Sequence, residues 1–221
     1  MDPHPAATTQ FRIVNSTAKM ADALAAIQQA CFPELSDGER IRAQHYRSHI
    51  RIFPEGQFAV LNSAEVPVAS STDLICRMDF DHYQHRYMEA CGNNWLTTHN
   101  AAGDWLYGVD IGVHPEYRGQ GLSRLLYDTR RDLIRRLNLK GHVAGGIPVG
   151  YGAVKSLMTI DDYVSKVQAA EIFDRTISVQ LRRGFSIAGI LYNYLEDTSC
   201  DGKGVLLVWH NPDFQPNRPD E

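Results

Sequence analysis

The sequence has no apolar run long enough to cross a bilayer, and its opening stretch, MDPHPAATTQ, lacks the apolar core of a leader peptide. The expectation is a cytoplasmic chain that works away from membranes. Positive charge is also short: 22 Lys and Arg against 26 Asp and Glu leave a formal net charge of −4. A general nucleic-acid binder needs a basic face, so no nucleic-acid partner is expected. Cysteine is sparse. Cys31, Cys76, Cys91 and Cys200 show no C-x-x-C spacing and fit reduced, mostly buried thiols better than a disulfide framework or a zinc site. His82 and His85 form a His-x-x-His pair, but no third ligand falls at metal-site spacing. These two, with His99, His45 and His49, read as solvated, and no metal is expected.

What the chain does have is apolar material for one sizeable core, 43% of 221 residues. One domain is expected over 10–211, between a flexible stretch at 1–9 and a loose, Pro-rich tail at 212–221. FRIV (11–14) reads as an opening strand. Ser16 or Thr17 then caps a helix whose Met20, Leu24, Ile27 and Cys31 recur at helical spacing. A more polar helix follows from Asp37 to Ile52. QFAVLN (57–62) and VPVASSTDLIC (66–76), joined by SAE, predict an antiparallel hairpin. Residues 77–104 lack a period and read as a long excursion, a kind of segment that is often functional. DWLYGVDIGV (104–113) is the central strand. The helix after it carries Leu122, Leu125, Leu126, Leu133 and Leu137 on one stripe, with its arginines on a solvated face. A strand at HVAGGIPV (142–149), helices within 159–173 and 175–185, and a strand pair at 186–195 and 204–211 complete a mixed-sheet α/β (α+β) domain.

The stretch YRGQGLSR, between the central strand and its helix, admits three readings from its residues alone. It is a tight turn, a dinucleotide-binding fingerprint, or a cradle for a pyrophosphate. Against the fingerprint, Arg124 stands where the third glycine belongs, and no carboxylate follows on a later strand. A Walker loop fails elsewhere, because GGIPVGYGAVKS puts Tyr151 after Gly150 and Val154 before Lys155. The cradle has a physical basis. A loop running straight into a helix presents unpaired backbone N–H groups and the positive end of the helix dipole. Gly119 and Gly121 clear side chains from the path of an anion, and Arg118 adds charge.

VHPEYRGQGLS resembles the signature loop of the GNAT superfamily of acyl-CoA-dependent N-acyltransferases, Q/R-x-x-G-x-G/A. Arg118 and Gly121 match, and Ser123 stands where Gly or Ala is usual. QLRRGFSIAGIL resembles the family's passage from helix through Gly-Phe to strand. FPEGQF, GDWLYGVDIGVHPEYRGQG, LNLKGHVAGG and LLVWHNP are similar to acetyltransferase domains fused to, or found beside, carbon–nitrogen hydrolases. No hydrolase domain is expected within these 221 residues. The resemblance implies a mixed, mostly antiparallel sheet flanked by helices, with a splayed central strand pair. It also implies acetyl-CoA as cosubstrate and an amine acceptor, either a small molecule or a protein amine. A homodimer is left open.

Position by position, the resemblance implies that the backbone of Ile111, Gly112 and Val113 pairs with the pantetheine arm. The amides of Arg118, Gly119, Gln120, Gly121, Leu122 and Ser123 hold the pyrophosphate. Arg124 meets the ribose phosphate, with an ordinary surface arginine as the alternative. Two departures follow. Many relatives place a general-acid tyrosine where this chain has Gln180, and an asparagine where it has Phe173.

An acceptor ammonium must lose a proton before it attacks a thioester. Asp110, inside an apolar strand where burial raises a carboxyl's pKa, is the candidate base; an aspartate that is merely hydrogen-bonded is the alternative. Tyr107 occupies the place where a base carboxylate sits in some relatives, against a role in the core. Tyr192 and Tyr194 are candidates for the acceptor end. Two functions remain: an N-acetyltransferase acting by direct attack in a ternary complex, and a non-catalytic acyl-CoA-binding module that regulates a partner such as a carbon–nitrogen hydrolase.

Overall fold

Every residue of Gln57–Leu61 is buried, and a continuous apolar run of this kind marks a strand covered on both faces. It lies near one end of a sheet ordered β1-β2-β3-β4-β5-β7-β6. The structure, a computed structural model, describes residues 10–216. The expected ends at 1–9 and beyond 216 lie outside the described residues. The strands are β1 (Arg12–Asn15), β2 (Gln57–Leu61), β3 (Pro67–Cys76), β4 (Trp105–Val113), β5 (Gly141–Gly146), β6 (Ser186–Leu191) and β7 (Gly204–His210). Neighbours are antiparallel except β4 and β5, which run parallel. The helices are α1 (Ala21–Cys31), α2 (Ala43–Ile52), the single turn α3 (Tyr87–Ala90), α4 (Leu122–Arg136), α5 (Ile160–Gln168) and α6 (Ile177–Arg182).

The hairpin, the central strand and the α4 stripe stand as the sequence predicts, with Leu122, Leu126 and Leu133 buried. The second helix differs: it starts at Ala43, not Asp37. Arg42 is extended (φ −97, ψ 166), and the turns before it deliver Ile41 into a cluster with Leu24, Tyr46 and Ala59. A helix there would have turned Ile41 elsewhere. At the first helix, neither Ser16 nor Thr17 caps α1. A 3-10 turn, Ala18–Met20, leads into it without a side-chain cap.

The excursion at 77–104 is anchored by its middle. Asn94 is fully buried; its amide donates to the Glu39 carbonyl at 3.1 Å, and its Oδ1 accepts from the Tyr87 hydroxyl at 3.2 Å. The Tyr87 amide in turn donates to the Tyr194 carbonyl at 2.7 Å, which ties the excursion to the loop after β6. At the other end of the chain, Gln215 exchanges hydrogen bonds with the Asn138 side chain at 3.0 and 2.7 Å.

Candidate active site

Parallel pairing of β4 with β5 runs only from Trp105–Gly141 to Gly108–Ala144. Beyond that point the two strands part. Residues Asp110 to Val113 are paired with β3 alone, and Gly145 and Gly146 with β7 alone. A register slip between Thr72 and Asp73 leaves Val109 without a partner on β3, and such a bulge bends its strand. The opening holds a cavity of about 560 Å³. Asp110 to Val113 form one wall, Gly145 to Ile147 the other, and Arg118, Gly119 and Gly121 to Ser123 lie at one end.

That end is the glycine loop. Gly119 has φ +78 and Gly121 φ +81, left-handed values that favour glycine. A Cβ added at either position meets no atom of the described residues within 4 Å, so none of them fills the space in front of the loop. Gly121 is the N-cap of α4, whose first turn has no side-chain cap. Unpaired amides and the positive helix end therefore face that space. Ile111, Gly112, Val113 and Leu122 line the cavity with them. The Val113 carbonyl is already engaged: it accepts from Cys31 Sγ at 3.2 Å and from Arg118 Nε at 3.3 Å. Gln120 and Arg124 are not on the cavity wall. Arg124 is exposed and faces Asp128 at 3.6 Å.

Asp110 is buried and lines the cavity. Its carboxylate accepts from the Tyr46 hydroxyl at 3.3 Å, and burial pushes its pKa up to about 6 against the opposing pull of Arg130. Arg130 itself is buried on α4 and donates to the Asp73 carboxylate at 2.9 Å, to the Thr72 carbonyl at 3.2 Å and to the Asp110 carbonyl at 2.5 Å. Asp73 is wholly buried and is likewise pushed up to about 6 by burial. His142 Nε2 stands 3.9 Å from Asp73, and burial holds that imidazole well below its usual pKa, hence neutral. One buried guanidinium thus bonds the Asp73 carboxylate and the Asp110 backbone, and its charge pulls against the upward shift of both carboxyls.

Tyr107 does not reach the cavity wall, but Tyr194 does. The two hydroxyls lie 3.0 Å apart, and His85 Nε2 is 2.7 Å from the Tyr107 hydroxyl. Tyr194 covers Gly145, where a Cβ would collide with its ring and hydroxyl. Beside it, Gln180 Oε1 has no hydrogen-bond partner among the described residues and would stand 2.5 Å from a Cβ at Gly146. An unpaired buried carbonyl oxygen on this wall can accept an amide N–H of a bound ligand. Tyr192 is exposed and off the cavity wall.

Sequence reasoning missed Arg130, Asp73 and His85. Contrary to the solvated position expected for it, the His49 imidazole is fully buried with Nε2 2.6 Å from the Asn94 carbonyl. His45 is buried beside Trp95. A signal for the ion pair was present. Arg130 interrupts the apolar stripe of α4, and Asp73 sits inside the run VASSTDLIC; opposite charges at core positions of two elements satisfy each other when paired.

No family model matches the chain. A probable hydrolase, YhcX of Bacillus subtilis (strain 168), is 35% identical over 209 residues, covering 93% of this chain and 40% of that protein. The chain thus spans well under half the length of this curated relative. The uncharacterized N-acetyltransferase YkwB of the same organism is 32% identical over 201 residues, covering 90% of this chain and 88% of that one. Among solved structures, the GphF GNAT-like decarboxylase in complex with isobutyryl-CoA superposes with a TM-score of 0.78 at 21% identity, covering 90% of this chain and 99% of that one. That likeness is one of fold.

Proposed function

This chain belongs to the GNAT superfamily of acyl-CoA-dependent N-acyltransferases, and from that premise we propose that it moves an acetyl group from acetyl-CoA to a primary amine. The observation that carries the reading is one cavity with three matched parts: splayed strands, a glycine loop before an uncapped helix, and a carboxyl that titrates near neutrality. Pyrophosphate would lie against the amides of Gly119 to Ser123, and the pantetheine arm along Ile111 and Gly112, with Gln180 Oε1 accepting from the opposite wall. Asp110 would take the proton of the bound ammonium. Direct attack on the thioester in a ternary complex then needs positioning and backbone polarisation of the carbonyl more than an acid.

The test is release of free thiol from acetyl-CoA across a panel of amines, with mass spectrometry of the acylated product. Thiol release that requires an amine supports the transferase. A second reading, a non-catalytic acyl-CoA-binding module beside a hydrolase, is favoured by Gln180 in place of the usual acid and by the likeness to YhcX. It predicts tight CoA binding without turnover. A donor with a carboxylated acyl chain belongs in the panel, since carbon dioxide release from it would point to the kind of reaction for which GphF is named.

A further inference from the structure

His85, Tyr107 and Tyr194 form a line of hydrogen bonds whose direction is fixed by its outer end. His85 Nδ1 is 2.7 Å from the Tyr83 carbonyl, which can only accept, so Nδ1 carries a proton. In the neutral imidazole Nε2 is then the acceptor and takes the Tyr107 hydroxyl at 2.7 Å. With its own proton committed to His85, the Tyr107 oxygen accepts from Tyr194 at 3.0 Å. The Tyr194 oxygen is left with lone pairs on the cavity side, beside Gly145. Burial holds His85 below its usual pKa, so it is unprotonated at neutral pH, and the nearby charge that opposes this is Glu89. Tyr107 and Tyr194 are buried, while His85 is partly buried and keeps a minor share of its surface exposed.

We propose that Tyr194, Tyr107 and His85 are a proton path from the cavity to solvent. It deepens the transferase reading and rests on it. Converting an ammonium to an amide releases two protons from nitrogen. Asp110 takes the first, from the bound ammonium. After the C–N bond forms, the nitrogen gives its second proton to the Tyr194 oxygen. The Tyr194 proton moves to Tyr107 and the Tyr107 proton moves to His85 Nε2; the resulting imidazolium then loses its Nδ1 proton to water as that N–H leaves the Tyr83 carbonyl. The C–S bond breaks with its electron pair on sulfur, which leaves as thiolate. The leaving thiolate takes up the first proton from Asp110, which restores the base, so the balance closes without an acid at Gln180. Tyr194 is the catalytic residue of the three, and Tyr107 and His85 act through it.

The experiment compares the parent with Tyr194→Phe, Tyr107→Phe and His85→Gln in steady-state kinetics, in water and in deuterium oxide. Glutamine can keep hydrogen bonds at position 85 but cannot take up a proton, and His85→Asn replaces it if that variant fails to fold. Each change is expected to lower kcat by about a hundredfold, a typical loss for a proton-transfer group, with KM for acetyl-CoA little altered. Rate against deuterium fraction should bow in the parent, where several protons move together, and straighten in the variants. Folded Tyr107→Phe and His85→Gln enzymes that turn over like the parent overturn the path while leaving the transferase standing. A parent that acylates no amine overturns the transferase, and the path with it.

Discussion

Arg130 Nε lies 2.9 Å from the Asp73 carboxylate, with 2% and 0% of the two side chains exposed. Both charges are buried. Asp73→Asn leaves a buried guanidinium without its counter-charge, and such single losses cost about 3–5 kcal/mol. Urea denaturation should read this directly. Removing the Asp73 charge should also lower the pKa of Asp110, because Arg130 then acts on Asp110 alone.

Asp110 has to be ionised to accept a proton, so turnover is expected to rise with pH through about 6. Asp110→Asn should remove most turnover while leaving CoA affinity near that of the parent. The stability sign is opposite. The folded-state pKa, about 6, lies above the ordinary 3.8, so the folded state binds this proton more tightly than the unfolded chain. Parent stability from this group is full below about pH 4 and is lost as pH rises toward 6. Asparagine carries no such dependence. From pH 4 to 7 the difference should therefore move in favour of Asp110→Asn, by on the order of 3 kcal/mol. Paired denaturation curves at the two pH values measure it.

At Gly121 the backbone and the ligand make separable demands. Its φ of +81 disfavours any L side chain, least of all asparagine, while the space in front of it is open. Gly121→Asn is thus expected to fold, with a melting temperature within a few degrees of the parent. Its side chain would stand where the phosphates belong. Loss of two N–H contacts to a charged group, about 1.5–3 kcal/mol each, would weaken CoA binding by roughly a hundredfold or more. Calorimetric titration decides. Parent-like affinity in the folded variant would assign the glycine to the turn alone.

CoA itself should stabilise the parent. At about 100 times its Kd a ligand specific to the native state adds roughly 2.7 kcal/mol, or on the order of 5–10 °C for a chain this size. A melting curve indifferent to millimolar CoA would count against both the transferase and the binding-module readings.

The order of elements and the glycine loop were legible because both are local. Apolar period, turn residues and the Arg118–Ser123 spacing sit within short windows of sequence. The site's charges were not, since their meaning depends on partners far along the chain. Asp110 stood out as a lone carboxylate in an apolar strand, but nothing near it in sequence announces Arg130 or Tyr46. His85 looked like one polar residue of a loop until Tyr107 and Tyr194, from two other segments, came into line with it. The late start of α2 had a similar cause: Ile41 follows its burial against α1, not the helical pattern of its neighbours.

The parting of β4 from β5 has a mechanical side. Four strands, β1-β2-β3-β4, make one antiparallel leaf and three, β5-β7-β6, another, and the strand pairing that joins them is the short seam from Trp105 to Gly108. The smaller leaf has its own packing layer, in which Ile160, Tyr163 and Ile177 meet Val205 and Leu207. A molecule lying in the gap would act as a splint between the leaves, supplying rungs where the ladder stops. Amides on the two rims should then exchange with solvent more slowly when the splint is in place.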